Sequence, residues 1–115
     1  MKTKYSYKNI TIPIGSNRVT ETITIKRGQV VACALLTSLT PSSPVDVQIQ
    51  DDAGNDIHPM VSHLEYKPTN GGHKESRKEL FFEGNQDIKI TAKSVSNIAN
   101  ADFTFQMLFY IEDEN

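Results

Sequence analysis

DFTFQMLFYIED, residues 102–113, decides the fold. Phe103, Phe105, Met107, Phe109 and Ile111 alternate without a break, so in an extended chain they all point to one face. The residues between them, Thr104, Gln106, Leu108, Tyr110 and Glu112, begin polar and turn apolar near the end. Such a strand belongs in the middle of a β-sheet. Its half-apolar second face predicts contact with something beyond its own core.

The same period of two recurs on moving back along the chain. Ile10, Ile12 and Ile14 alternate up to the turn Gly15-Ser16-Asn17. Val19, Glu21, Ile23 and Ile25 follow, opposed by Thr20, Thr22 and Thr24, a residue type suited to a pleated outer surface. After Lys26-Arg27-Gly28, the run from Val30 to Leu36 is apolar on both faces, with Val30, Ala32, Ala34 and Leu36 opposing Val31, Cys33 and Leu35. Residues 37–44 carry Pro41, Pro44 and several hydroxyl side chains, and read as a loop. Val45, Val47 and Ile49 alternate with Asp46, Gln48 and Gln50, and Asp51 to Asn55 reads as a hairpin turn. The short strand around Asp56 to Val61 contains Pro59, which confines it to an edge or a bulge because proline cannot donate to a ladder. Leu64 and Tyr66 suggest another short strand, and Leu80 to Phe82 and Ile88 to Ala92 complete the set.

Eight or nine strands at a spacing of roughly 10 to 12 residues, with no competing helical window, predict an all-β antiparallel sandwich. A single jelly roll of about eight strands is favoured. An immunoglobulin-like sandwich is the alternative, weakened by the absence of tryptophan and of a second cysteine. At 115 residues the chain fits one domain, expected over residues 10–115 after an N-terminal arm, residues 1–9.

Composition excludes several functions. A net charge of −2 and a pI near 5.9 argue against a nucleic-acid-binding module. Lys2, Lys4 and Lys8, interleaved with Tyr5 and Tyr7, are a local exception and read as a solvated arm. The single thiol, Cys33, cannot form an internal disulfide. The opening residues MKTKYSYKN lack the apolar core of a secretory signal, and no stretch approaches the roughly 18 apolar residues of a membrane span.

Each candidate for chemistry has a simpler explanation. Asp51, Asp52, Asn55 and Asp56 could offer oxygens to Ca²⁺, but the spacing departs from the EF-hand pattern and suits a tight turn. His58, His63 and His73, with Glu65, lack the further ligands of a zinc site. Cys33 lies in an apolar strand, there is no G-x-S-x-G motif, and Gly71-Gly72 is not followed by a phosphate-binding helix. No catalytic set, metal or cofactor is expected. The segment His73 to Glu79, containing Lys74, Glu75, Arg77 and Lys78, is a solvated loop or a charged rim for a partner.

The segments TETITIKRGQVV, VDVQIQDDAGNDI and DFTFQMLFYIEDE together resemble small single jelly-roll proteins of virus and bacteriophage particles, of the penton (vertex) and capsid-decorating types. That resemblance implies a non-enzymatic protein of the virion, made in the host cytoplasm. It also implies assembly as a pentamer or trimer beside other capsid proteins. The interface residues expected from the two-sided strands are Ala32, Ala34, Leu108 and Tyr110, joined by Lys74 and Arg77 of the charged loop. A carbohydrate- or ligand-binding module is the rival, with Tyr5, Tyr7, Tyr66 and Tyr110 as its available aromatics. A small regulatory or inhibitor protein that docks through residues 73–79 is a third possibility.

Overall fold

Alternation of the kind just described produces eight strands in the computed structural model, which describes residues 2–67 and 78–113. They are β1 (Lys2–Ile12), β2 (Arg18–Ile25), β3 (Gln29–Leu36), β4 (Val45–Asp51), β5 (Asp56–Ser62), β6 (Lys78–Glu83), β7 (Gln86–Ser94) and β8 (Phe103–Asp113). A short 3-10 turn, His63–Glu65, follows β5. Among the described residues no helix is long and apolar enough to cross a membrane.

The strands form two four-stranded antiparallel sheets, ordered β1-β8-β3-β6 and β2-β7-β4-β5. The pairing is nested: β1 with β8, β2 with β7, β3 with β6, β4 with β5. The chain behaves as one long hairpin, with its tip at residues 52–55, rolled so that successive pairs fall in alternate sheets. Further ladders between β3 and β8 and between β4 and β7 close the roll. This is a jelly roll. In an immunoglobulin-like sandwich the first two strands are neighbours in one sheet, whereas here β1 and β2 lie in different sheets.

The core lies between the sheets. Phe103, Phe105, Met107, Phe109 and Ile111 of β8 are all buried in it, as their alternation predicts, against Ile23 and Ile25 of β2, Val45, Val47 and Ile49 of β4, and Ile88 and Ile90 of β7. Pro59 lies on β5, an edge strand whose ladder with β4 shifts register, as proline requires.

Three expectations need correction. Residues 2–9 are not an arm but the first part of β1, which pairs with β8 without a break from Lys2↔Asp113 to Ile12↔Phe103. Its inward positions turn polar before Ile10 because they sit where the edge of one sheet faces the edge of the other. There the buried Ser6 hydroxyl accepts the Lys26 N–H (3.1 Å), and the Lys8 ammonium donates to the Thr22 carbonyl (3.2 Å) and lies 3.6 Å from the Glu21 carboxylate.

The parity of β3 also changes. Val30 opposes Ile111 and Ala32 opposes Tyr110, so two steps on β3 match one on β8 and Val31 is the extra residue of a bulge. Val30 therefore joins Cys33 and Leu35 in the core, while Ala32 and Ala34 face outward. Finally, Leu64 and Tyr66 form no strand. The Ser62 hydroxyl accepts the Leu64 N–H (3.3 Å) and the His63 carbonyl accepts the Tyr66 N–H (3.1 Å), which coils the chain instead.

Loops at one end of the sandwich are tied together. The Ser42 and Ser43 hydroxyls accept the N–H groups of Ala99 and Ser96 (both 2.9 Å), and Gly15 and Ser16 exchange backbone bonds with Ile98. At the other end, Gly84 donates to the Gly28 carbonyl (2.7 Å). A Cβ on Gly84 would collide with the Lys26 and Gly28 carbonyls, so only glycine allows the β2–β3 and β6–β7 turns to meet.

Candidate functional site

The outer face of the sheet β1-β8-β3-β6 is built from residues opposite in parity to the core. Ala32 lies directly across from Tyr110 and Ala34 across from Leu108. These four form a second apolar cluster with Val31, separate from the main core. The four interface residues predicted on the strands are thus brought together. Lys74 and Arg77 lie outside the described residues.

The structure changes the role of three of them. Ala32, Ala34 and Tyr110 are buried within the single chain, at 0%, 0% and 3% exposure. The two alanines leave room for Tyr110 and Leu108 to lie across the sheet. The Tyr5 ring, on the neighbouring strand β1, meets the Tyr110 ring edge-on at 5.5 Å between centroids. These residues form the floor of the surface, and a partner would touch what stands above and around it.

Among the described residues, the accessible apolar part includes Tyr5, Tyr7, Phe81 and Leu36, with the half-buried Leu108. Tyr7 pairs with Leu108 and is 62% exposed. Phe81 lies between Leu80 and Phe82, which pack on the core, so it points outward and is 64% exposed. The signal for Tyr5 and Tyr7 was in the sequence, since they continue the alternation set by Ile10 and Ile12 on the opposite face. Along β1 and β8 the surface grades from aromatic to polar. Beyond Tyr7 and Leu108 come Asn9 and Gln106, bonded at 3.3 Å, and then Thr11 and Thr104, whose hydroxyls meet at 2.9 Å.

Tyr66 is unavailable to a ligand. It is fully buried, its hydroxyl donates to the Val47 carbonyl (3.1 Å), and burial raises its pKa. His58 Nδ1 is 2.9 Å from both the Tyr66 oxygen and the Pro59 carbonyl, an arrangement that requires the proton on Nδ1.

The candidates for chemistry are occupied by structural bonds. Asp51 Oδ1 accepts the N–H groups of Ala53 (3.0 Å) and Asn55 (2.9 Å), and Oδ2 accepts the Asn55 amide (3.3 Å). These bonds, with the Asn55 N–H foremost, hold the Asp51 pKa below the ordinary carboxylate value. His63 and Glu65 share the 3-10 turn, but His63 is buried, with Nδ1 on the Val45 carbonyl (3.2 Å), while Glu65 faces solvent. His73 lies outside the described residues. Among the described residues no three His, Cys, Asp or Glu side chains are grouped to hold a metal. Cys33 is buried in the core, where desolvation pushes its thiol up to about 12 and keeps it protonated at neutral pH.

Fold and surface together define a jelly-roll sandwich with one aromatic outer face. No family model matches the chain, and no curated protein matches it. Among solved structures it bears a weak resemblance to a chain of the cyanophage Pam1 capsid asymmetric unit. The identity is 16%, covering 96% of this chain and 85% of that one, with a TM-score of 0.49. The periplasmic g-type lysozyme inhibitor PliG of Salmonella Typhimurium is similar at 12% identity over 96% of this chain and 87% of that one, with a TM-score of 0.41. An antigen and type I fimbria protein of Burkholderia pseudomallei is similar at 13% identity over 97% and 100%, with a TM-score of 0.45. The three neighbours have different roles.

Proposed function

We propose that this chain is a non-enzymatic structural protein of a virus or bacteriophage particle, self-assembling at a capsid vertex or on the capsid surface. The observation that carries the proposal is the apolar outer face of the sheet β1-β8-β3-β6, where Tyr7 and Phe81 stand exposed around a floor of Ala32, Ala34, Leu108 and Tyr110. Large exposed aromatics on one face of a sandwich mark an interaction surface, and jelly rolls are a recurrent architecture of viral capsids. The mechanism is burial. Copies arranged around a closed symmetry axis, as a pentamer or trimer, would cover these rings, and other capsid proteins would meet the remaining surface.

The solution mass of the purified protein, by light scattering, tests this. A stable pentamer or trimer is expected. Tyr7→Asp combined with Phe81→Asp should lower the mass to that of a monomer with the melting temperature of the isolated chain retained, because both side chains are exposed. A wild-type protein that stays monomeric at high concentration would overturn the proposal.

One observation favours a second reading, a carbohydrate-binding module. Tyr5 and Tyr7 are exposed side by side on one strand face, about 7 Å apart along the chain. Glycan-array binding by a strict monomer, abolished by Tyr7→Ala, would support that reading.

A further inference from the structure

A second surface, independent of the aromatic face, lies at the tied loop end of the sandwich. A cleft of about 360 Å³ opens between the β3–β4 loop and the 3-10 turn. Leu39, Pro41 and Val45 line it from the loop and the start of β4, and His63, Leu64 and Lys67 line it from the segment after β5. Its volume falls in the range of small-molecule sites. The apolar wall is open to a ligand, with Leu39 at 42% and Leu64 at 63% exposure.

Three serines of the lining share one character. Ser42, Ser43 and Ser62 each accept a backbone N–H, from Ala99, Ser96 and Leu64 respectively. A hydroxyl that accepts in this way keeps its own hydrogen to donate. Lys67 adds a cation, and among the described residues no carboxylate lines the cleft. His63 Nδ1 is held on the Val45 carbonyl, which fixes the ring as part of the wall. Apolar walls with donors and one positive charge suit a ligand that is aliphatic at one end and anionic at the other.

We infer that this cleft binds a small aliphatic carboxylate, with its hydrocarbon against Leu39, Pro41 and Leu64 and its carboxylate at Lys67 and the serine hydroxyls. Charge complementarity selects this class over a neutral apolar ligand. Among the described residues, aromatic rings on which a sugar would stack are absent from the lining apart from the His63 imidazole.

The test is a titration of sodium octanoate into the ¹⁵N-labelled full chain, followed by amide chemical shifts, with 1-octanol as the neutral match. Saturable shifts confined to residues 39–45 and 62–67 are expected, with octanoate binding more tightly than octanol. Lys67→Met keeps most of the side-chain length and removes the charge. It should weaken octanoate by about fivefold, the scale of an exposed ion pair, and leave octanol unchanged. Leu64→Asp should weaken both ligands. Three results would overturn the inference: no saturable shift at the cleft, shifts centred on Tyr5, Tyr7 and Phe81, or equal octanoate affinity in wild type and Lys67→Met.

Discussion

The two sheets share one core but differ on their outer faces. The outer surface of β2-β7-β4-β5 is polar and self-satisfied. Thr20 and Thr91 hydroxyls meet at 3.1 Å, Thr24 donates to Asp87 at 2.8 Å, and Gln48 donates to Asp56 at 2.9 Å. The outer surface of β1-β8-β3-β6 instead has a buried apolar floor under exposed aromatics. A sandwich needs only one apolar face per sheet. The buried floor of the other sheet serves the fold of the single chain, and the exposed Tyr7 and Phe81 above it are what the assembly proposal explains.

Matched substitutions at the two outer faces would break or sharpen this contrast. Tyr110→Ala removes a buried ring and its contact with Tyr5, and should cost about 3 kcal/mol in denaturant unfolding. A cost near zero would mean that the floor is not part of the folded unit. Leu108→Asp with Tyr110→Ser should for the same reason destabilise the chain itself.

The sheets should also respond to opposite ends of the pH scale. Cys33, on the aromatic sheet, has a folded pKa raised to about 12. Its contribution is complete below the unfolded value of about 8.5 and is lost as pH rises towards the folded one, on the order of 2 kcal/mol by about pH 10. Urea unfolding from pH 7 to 10 should show this loss, and Cys33→Ala should flatten it. Thr91→Ala, at the centre of the polar face, deletes the bond to Thr20 and should cost about 1 kcal/mol. The smallest effect is expected at Asp51, in the β4–β5 turn. Its lowered pKa contributes stability above the unfolded value, lost as pH falls through the folded one, so Asp51→Ala should reduce acid sensitivity below about pH 4.

The inward pattern of β8 was legible because each of its core positions is apolar and the ladder is regular. The cluster of Ala32, Ala34, Leu108 and Tyr110 was legible from two-sided apolarity alone. What covers Tyr110 was not, because Tyr5 reaches it across a strand pairing that periodicity does not encode. The extent of β1 was hidden by Lys8 and Ser6, polar residues at inward positions whose partners, Glu21, Thr22 and Lys26, come from the other sheet's edge strand and the turn after it. The bulge at Val31 was hidden because every residue near it is apolar, so a slip of one position leaves no mark on the hydrophobic pattern.

The place of β8 between β1 and β3 has a consequence for how the protein is made. The ribosome produces this strand after the other seven, yet both of its neighbours need it to complete a ladder. The tip hairpin β4–β5 and the β2–β7 pair can form while synthesis continues. The sheet that carries the aromatic face must wait, with β1 and the outer edge of β3 unpaired. Such long-range closure is slow and leaves sticky edges open in the meantime. Newly made chains should therefore depend on chaperones until β8 emerges, and release with β8 truncated should send them to aggregates rather than to a smaller folded domain.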